Sequence, residues 1–218
     1  MDHVKLEPVS FPDGMAVPRV MQYQDLPWNG DGYLAAEVLR LQNKHRLLAA
    51  IETGTCLGVT TGWLKQHFIE VSTCEVHEPF LRLAVCYLDT VEGGHLMYRH
   101  GDSPEFIPDA LNWHNSGDRT FFFLDAHGIS GTGTERCPLL DELAAIAKAG
   151  VKPVIVIHDM MVPGHPDLGY DRMPDGRPFS IDLVRPSLDA IYGHGNYSHH
   201  FNSKSEGAMR GVLYIEPK

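Results

Sequence analysis

The sequence predicts an α/β fold built on a doubly wound, mostly parallel sheet with an antiparallel hairpin at its C-terminal end. Two observations support this prediction. Apolar strand-like runs alternate with helix-like segments from about residue 47 onward, and after Gly193 the pattern changes to two strand-like runs. Such alternation is typical of a parallel sheet with helices on both faces, whereas two runs joined by a short turn indicate a hairpin.

The elements follow one another along the chain. Asp31 is a candidate N-cap for a helix from Gly32 to about His45. Strand-like runs occur at 48–53, 71–76, 95–100, 121–125 and 153–158. Helix-like segments occur between them at 60–68, 79–88, 104–113 and 138–149. The runs YSHHFNS and RGVLYIE, separated by a short glycine-containing turn, predict the hairpin that closes one edge.

Length and composition predict one domain. A chain of 218 residues with 43% hydrophobic content can bury one substantial core. We interpret 1–218 as that domain, with an irregular, proline-containing arm at 1–29 and the sheet core at 47–218. Tyr23 and Trp28 of the arm are candidates to cover a pocket. The four cysteines lack close-pair spacing, which predicts reduced, mostly buried thiols.

Charge and hydropathy disfavour two classes of partner. The chain has 28 acidic and 18 basic residues, a net charge of -10 and no cluster of Lys and Arg, so the basic footprint of nucleic-acid binding is missing. The first residues lack the apolar core of a signal peptide, and the apolar runs are too short to span a bilayer. We therefore expect a cytoplasmic protein with a small-molecule partner. The oligomeric state stays open, and a homo-oligomer is allowed.

Polar residues follow the predicted strands at the points where the strands end. In an open sheet of this kind, the ligand binds at the carboxyl ends of the strands, where the strand order reverses. The residues there are Glu52, Thr53, Gly54, Glu75, Gly101, Asp102, Ser103, Asp125, Ala126, His127, His158 and Asp159. Any single one could simply cap a helix, but together they indicate a ligand site.

The turn after the first predicted strand favours a nucleoside without phosphates. Its pattern, Glu52-x-Gly54-x-x-x-Gly58, lacks the third closely spaced glycine of a dinucleotide-binding turn, which disfavours a nicotinamide dehydrogenase. The glycines let the backbone approach a ligand, and the carboxylate suits an ammonium or sulfonium group. Glu75, at the end of the second strand, can accept hydrogen bonds from both ribose hydroxyls.

Five segments in this order resemble a class I S-adenosylmethionine-dependent methyltransferase: AAIETGTCLG, VSTCEVH, GDSPEFIPDAL, FFFLDAHG and VIVIHDMMVPG. The resemblance implies a Rossmann-like, seven-stranded sheet with S-adenosylmethionine lying across the strand ends. By position, it implies that the methionine end is bound by Glu52, Gly54, Thr55 and Gly58. It also implies that Glu75 binds the ribose and that Asp102 and Ser103 contact the adenine. Asp125 would lie close to the reacting methyl group.

A narrower likeness is to metal-dependent small-molecule O-methyltransferases of the macrocin and catechol types and to their cephalosporin-hydroxylase-like relatives. In those proteins, carboxylates at the ends of the fourth and fifth strands bind magnesium. The likeness implies that Asp125 and Asp159 are the corresponding metal ligands here. The sequence departs from that pattern at His158 and Met160, where a carboxylate or amide ligand would usually flank Asp159. Oxygen ligands favour magnesium, whereas a histidine ligand favours manganese, iron or zinc. The implied reaction is methyl transfer to a hydroxyl oxygen, assisted by a divalent cation.

Three alternatives stay open. His127 or His158 could act as a general base in place of a cation. A metal-dependent hydroxylase or hydrolase could use His127, His158 and Asp159, because two histidines and one carboxylate suit iron. A non-catalytic module could retain the nucleoside pocket without turnover. In each case the segments 128–136 and 160–178, which follow the two candidate catalytic strands, are predicted to select the small-molecule partner.

Overall fold

The computed structural model describes residues 26–127 and 137–218, and its described part is organised around one seven-stranded sheet. The strands are β1 (Ala49–Thr53), β2 (Glu70–Glu75), β3 (His95–His100), β4 (Thr120–Leu124), β5 (Val154–His158), β6 (Tyr197–Phe201) and β7 (Val212–Pro217). Their order is β3-β2-β1-β4-β5-β7-β6. The first five are parallel, and β7 is antiparallel to β5 and β6. The predicted fold class is confirmed.

Six helices connect or precede these strands in the described residues. They are α1 (Gly32–His45), α2 (Val59–His67), α3 (Glu78–Leu88), α4 (Ser103–His114), α5 (Leu139–Ala149) and α6 (Ile181–Tyr192). The sequence predicts the first five helices and the five parallel strands to within one residue at each end. It does not predict α6, although Ser180 caps that helix and Val184, Leu188 and Ile191 form its buried stripe. None of the described helices is long and apolar enough to cross a membrane.

The core lies on both faces of the sheet because successive side chains of a strand point to opposite faces. On one face, strand residues such as Ile51 and Phe122 pack against α4, α5 and α6. On the other face, Ala50, Phe121 and Phe123 pack against α1 and α2. Coverage on both faces explains why the central strands are continuously apolar in the sequence.

The N-terminal arm is described only in its last residues. Positions 1–25, which include Tyr23, lie outside the described residues, as does the segment 128–136 that is predicted to select the small-molecule partner. Pro27–Gly30 form a short 3-10 turn, and Trp28 is 1% exposed. Its indole packs edge to face on Trp63 and Phe123, with ring centroids 5.0 and 4.9 Å away. The prediction that Trp28 covers a pocket is therefore wrong, because this side chain belongs to the core between α2 and the sheet.

The C-terminal hairpin is confirmed, but its connection is longer than predicted. It spans residues 202–211 and is stabilised by Asn202, whose Oδ1 accepts a hydrogen bond of 2.7 Å from the Val212 N–H. Because β7 pairs with β5, this connection lies over the carboxyl end of β5. The hairpin thereby brings residues near the C-terminus of the chain to the predicted site.

The four cysteines are all free, as predicted, but their burial differs from the prediction. Cys74 on β2 is buried, Cys56 and Cys137 are half-buried, and Cys86 on α3 is exposed.

Candidate active site

The register of the sheet aligns the carboxyl ends of its parallel strands. Thr53 ends β1 and pairs with Cys74 of β2 and Leu124 of β4. The next residues along the five strands therefore lie at one level, and they are His100, Glu75, Gly54, Asp125 and His158. The strand order reverses between β1 and β4, so this row crosses the position where such sheets bind ligands.

The two glycines of the turn after β1 are required for different structural reasons. Gly54 has a φ of 87°, and a Cβ there would lie 2.8 Å from the backbone oxygen of Asp125, so only glycine lets the ends of β1 and β4 come this close. Gly58 has a φ of 77°, and a Cβ there would lie 3.0 Å from Ala84 Cβ on α3. Gly58 thus serves helix packing, and its predicted ligand contact stays a prediction. The Thr55 hydroxyl is buried 2.7 Å from that of Thr73 and supports the turn from beneath.

Glu52 points into the interior rather than toward a ligand. Strand alternation places it on the same face as Ala50, which α2 covers. Its Oε2 accepts hydrogen bonds from the hydroxyls of Thr61 and Thr73, and the residue is 1% exposed. Burial raises the pKa of its carboxyl to about 8 despite these hydroxyls. Glu52 therefore joins β1, β2 and α2 beneath the turn, and the structure does not place its carboxylate at the methionine end.

Glu75 lies where the sequence predicts a ribose contact. It ends β2, and its two carboxylate oxygens accept hydrogen bonds of 2.9 Å from the N–H groups of Cys56 and His77. The first of these bonds ties Glu75 to the turn that contains Gly54. The next residue, Val76, is exposed at the same strand end.

The start of α4 follows the end of β3 and lies next to Glu75 in the row of strand ends. Asp102 is the N-cap residue of α4, and Ser103 follows it as a buried residue whose Oγ has no hydrogen-bond partner. Behind Ser103 lies Glu142 of α5, fully buried, whose carboxylate oxygens also have no partner in hydrogen-bonding geometry. Burial raises the pKa of Glu142, and the nearby hydroxyls of Ser103 and Thr53 oppose that rise. Sequence reasoning missed Glu142 because it sits within the apolar stripe of a helix.

His158 bridges the two aspartates predicted to bind metal. Its Nδ1 lies 3.1 Å from Oδ1 of Asp125 and 3.2 Å from Oδ1 of Asp159. Burial alone would lower the pKa of His158, but the two carboxylates hold it well above its usual range. Although burial opposes it, His158 in turn holds the pKa of Asp159 well below its usual range. His158 is therefore the side chain that contacts both aspartates.

His127 follows β4 and lies next to the end of β5. Its Nε2 is 3.3 Å from the backbone oxygen of His158, and its Nδ1 is buried without a partner. Burial alone would lower the pKa of His127, but Cys137 and the carboxylates of Asp159 and Asp125 raise it to about 9.

Candidate ligand atoms of Asp125, His127 and Asp159 lie within 4.8 Å of one another. Within the described ranges, this is the group whose ligand atoms could converge on one cation. Two carboxylates and one imidazole suit a divalent cation. Among the described residues, the alternative set of His127, His158 and Asp159 does not bring its ligand atoms this close together.

Arg210, in the hairpin connection, was not predicted from the sequence. Its Nε donates to Oδ1 of Asp159, and its Nη2 donates to Oδ1 of Asp171 in the segment after β5. The sequence gives no periodic or motif signal for it, because it is more than fifty residues from Asp159 and its approach depends on the pairing of β5 with β7.

Comparisons with known proteins support the fold. No family model matches the sequence, and no curated protein matches it. Among solved structures, the O-methyltransferase TomG from Streptomyces achromogenes, involved in tomaymycin synthesis and in complex with S-adenosylmethionine, is similar with a TM-score of 0.61 and 16% identity, over 85% of this chain and 79% of that one. An O-methyltransferase from Bacillus cereus in complex with S-adenosylhomocysteine has a TM-score of 0.57 and 17% identity, over 88% and 84%.

A third similar structure is the N-terminal domain of EvdMO1, determined in the presence of S-adenosylhomocysteine and D-fucose. Its TM-score is 0.50 at 14% identity, over 98% of this chain and 91% of that one. The present chain has the class I methyltransferase fold. Its sheet order and its antiparallel β7 agree with the architecture that the sequence resemblance implies.

The titration of Glu52 gives a testable consequence. Its folded-state pKa of about 8 lies above the value of roughly 4.3 for an unfolded chain, so the folded state keeps a proton that the unfolded state loses. Stability is therefore lost as pH rises between these values. We expect Glu52→Gln, which keeps an acceptor oxygen for the threonines, to remove this slope, up to about 1.4 kcal/mol per pH unit.

Urea unfolding of both proteins at pH 5, 6, 7 and 8 measures the difference. Glu78→Gln, at an exposed position on α3, gives the baseline for a Glu-to-Gln change. Parallel stability curves for wild type and Glu52→Gln would contradict the assignment of a buried proton to Glu52.

Proposed function

We propose that the protein transfers a methyl group from S-adenosylmethionine to a hydroxyl oxygen of a small molecule, assisted by a divalent cation. The observation that carries this proposal is the alignment of Glu75, Gly54 and Asp125 at one level where the strand order reverses. The similar structures support it, because TomG and the Bacillus cereus protein are O-methyltransferases with the donor or its product bound.

Glu75 is suited to bind a ribose. An ionised carboxylate offers about four acceptor positions, and the N–H groups of Cys56 and His77 use two of them. Two positions remain for a pair of neighbouring hydroxyls. The adenine would then lie toward β3, beside Asp102 and Ser103 at the start of α4.

The charge around Gly54 favours a cationic ligand end over phosphates. Glu75, Asp125 and Asp159 place three carboxylates around one end of the sheet, and no lysine or arginine lies in the turn from Gly54 to Gly58. When bound, S-adenosylmethionine supplies a methyl group on a positively charged sulfur, which reacts by in-line displacement. Asp125 is next to Gly54 in the row and is the carboxylate proposed to face that charge.

Asp125, His127 and Asp159 are the residues that would hold the divalent cation. A cation at this position lowers the pKa of an acceptor hydroxyl without a strong base. The described contacts of both aspartates use Oδ1, which makes their Oδ2 atoms the candidate ligands. Because one ligand is an imidazole, we propose manganese rather than magnesium as the preferred ion.

The two histidines are less suited to act as general bases. A base must be unprotonated at the working pH, but the pKa of His127 is raised to about 9 and that of His158 lies well above its usual range. These raised pKa values favour protonated rings when no cation is bound, and a cation at Asp125 and Asp159 would take the place of one proton of His127. We therefore propose that His158 orients and neutralises the two carboxylates, whereas His127 serves as a ligand of the cation.

The acceptor is proposed to be a polar small molecule bound next to the segment between β5 and α6. Arg172 of this segment donates a hydrogen bond of 2.9 Å to the Tyr170 hydroxyl and stacks over that ring. Both side chains lie only a few residues from Asp171, which contacts Arg210. The net charge of -10 supports a partner other than nucleic acid.

Substitution of Glu75 tests donor binding. We expect Glu75→Ala to weaken binding of S-adenosylhomocysteine by at least about 100-fold, because each hydrogen bond to a charged group contributes roughly 1.5 to 3 kcal/mol. Calorimetric titration measures this, and circular dichroism checks the fold. Glu78→Ala, three residues away on the exposed face of α3, is the matched control and should bind as wild type does. Equal affinities in Glu75→Ala and wild type would place the nucleoside elsewhere.

Substitution of Asp159 separates chemistry from donor binding. We expect Asp159→Asn to abolish methyl transfer while affinity for S-adenosylhomocysteine changes less than about 3-fold, because the donor contacts come from the ends of β1, β2 and β3. Chelation of the wild type should have the same effect, and manganese should restore turnover. Release of S-adenosylhomocysteine is measured with a panel of phenols, catechols and sugars. Asp167→Asn, exposed in the same segment, is the control.

Two outcomes would contradict the proposal. Activity that survives exhaustive chelation would exclude the cation and return His127 or His158 to the role of base. Tight binding of S-adenosylhomocysteine without turnover on any acceptor, with manganese present, would indicate a nucleoside-binding module instead of an enzyme.

A further inference from the structure

Arg210 connects two parts of the chain that meet at the candidate cation site. Its guanidinium donates to Asp159 at the end of β5 and to Asp171 in the segment between β5 and α6. The Arg210 side chain is 27% exposed and that of Asp159 is 11% exposed. The side chain of Asp171 is 36% exposed, so the pair with Asp159 is the more shielded of the two. A shielded pair made by a rigid fork fixes geometry more strongly than a pair at the open surface.

Two glycines make room for this contact. A Cβ on Gly169 would lie 2.8 Å from Nη1 of Arg210, and a Cβ on Gly211 would lie 1.9 Å from the backbone oxygen of Met160. Backbone hydrogen bonds link the same strips of chain, from Gly169 N–H to the Met209 oxygen at 2.8 Å and from Gly211 N–H to the Gly169 oxygen at 2.9 Å. The close approach of the hairpin connection to the segment after β5 therefore depends on missing side chains.

Asp159 itself has an uncommon backbone conformation. Its φ of 61° lies in the left-handed region, which is unfavourable for a residue with a side chain. The neighbouring contacts that hold it are Asp171 N–H to its backbone oxygen and Met160 N–H to the Gly211 oxygen, both 2.9 Å. The carboxylate itself is held by two side chains, the His158 ring at 3.2 Å and the Arg210 guanidinium, and only Arg210 links it to the segment after β5 through Asp171.

We propose that Arg210 is a positioning residue that fixes the carboxylate of Asp159 beside Asp125 and His127 and ties the acceptor-side segment to it through Asp171. The inference rests on the proposed function, because it gives Asp159 a place in the cation site. It adds that the Asp159 carboxylate is rigidly coupled to the segment between β5 and α6, which borders the acceptor. An acceptor that orders this segment would then also order Asp159.

The chemistry of the side chain makes the inference specific to arginine. A guanidinium presents several N–H donors in a planar fork, so it can bind two carboxylates at once with defined directions. An ammonium is a single point of charge on a flexible stem and would retain one partner at a time. Arg210→Lys should therefore keep the charge but restore only part of the coupling between Asp159 and Asp171.

Hydrogen exchange in the protein without ligands is the primary test. In Arg210→Gln we expect the amides of Met160, Gly169 and Asp171 to exchange at least ten-fold faster than in wild type, with an intermediate effect in Arg210→Lys. Amides of β1 and β4 should not change, which checks that the variant is folded. Arg177→Gln is the matched control, because Arg177 pairs with Asp175 in the same segment but has no described contact with Asp159.

Manganese binding, followed by the electron paramagnetic resonance signal of free Mn²⁺, is the second readout. We expect Arg210→Gln to bind manganese at least ten-fold more weakly than wild type, with its affinity for S-adenosylhomocysteine unchanged. A purely structural arginine would not separate these two affinities.

Wild-type exchange rates in Arg210→Gln would overturn the inference. So would faster exchange with unchanged or tighter manganese binding, since Arg210 would then restrain the segment without orienting the carboxylate. Failure of the proposed function has a different signature. A wild-type protein that binds no S-adenosylhomocysteine or no manganese contradicts that function, while the exchange rates still decide whether Arg210 couples Asp159 to the segment.

Discussion

Parallel pairing of β1 with both β2 and β4 is the constraint on which the candidate site depends. The in-register pairs of Thr53 fix the next residues, Glu75, Gly54 and Asp125, in one row across the point where the strand order reverses. The row can close this tightly only because Gly54 has no side chain facing the Asp125 backbone. Everything proposed for the nucleoside and the methyl group follows from this spacing of strand ends.

The balance of buried charge is set by the same geometry. Asp125 and Asp159 come together at neighbouring strand ends, and burying two carboxylates side by side is unfavourable unless cations accompany them. His158 lies between them, and Arg210 reaches Asp159 from the hairpin. We propose that the carboxylates of this row, with no lysine or arginine in the turn from Gly54 to Gly58, suit a sulfonium and a metal ion better than phosphates.

The sequence predicts the sheet and the strand-end residues well because both depend on local pattern. Apolar runs that are buried on both faces, and polar residues where those runs stop, are visible without any knowledge of packing. Side-chain direction is not visible in this way, so Glu52 was assigned to the ligand although strand alternation turns it toward α2. Arg210 and Glu142 escaped prediction because their positions depend on long-range pairing and on helix packing. The α6 helix was missed although its apolar spacing was available.

The central claim is that the row of strand ends binds the nucleoside of S-adenosylmethionine. A crystal structure of the wild-type protein grown with S-adenosylhomocysteine and manganese tests it most directly. The account predicts ribose hydroxyls on Glu75, adenine beside Asp102 and Ser103, and the sulfur next to Gly54 on the side of Asp125. A nucleoside bound away from the row, or a row filled instead by an ordered phosphate from the crystallisation medium, would contradict it.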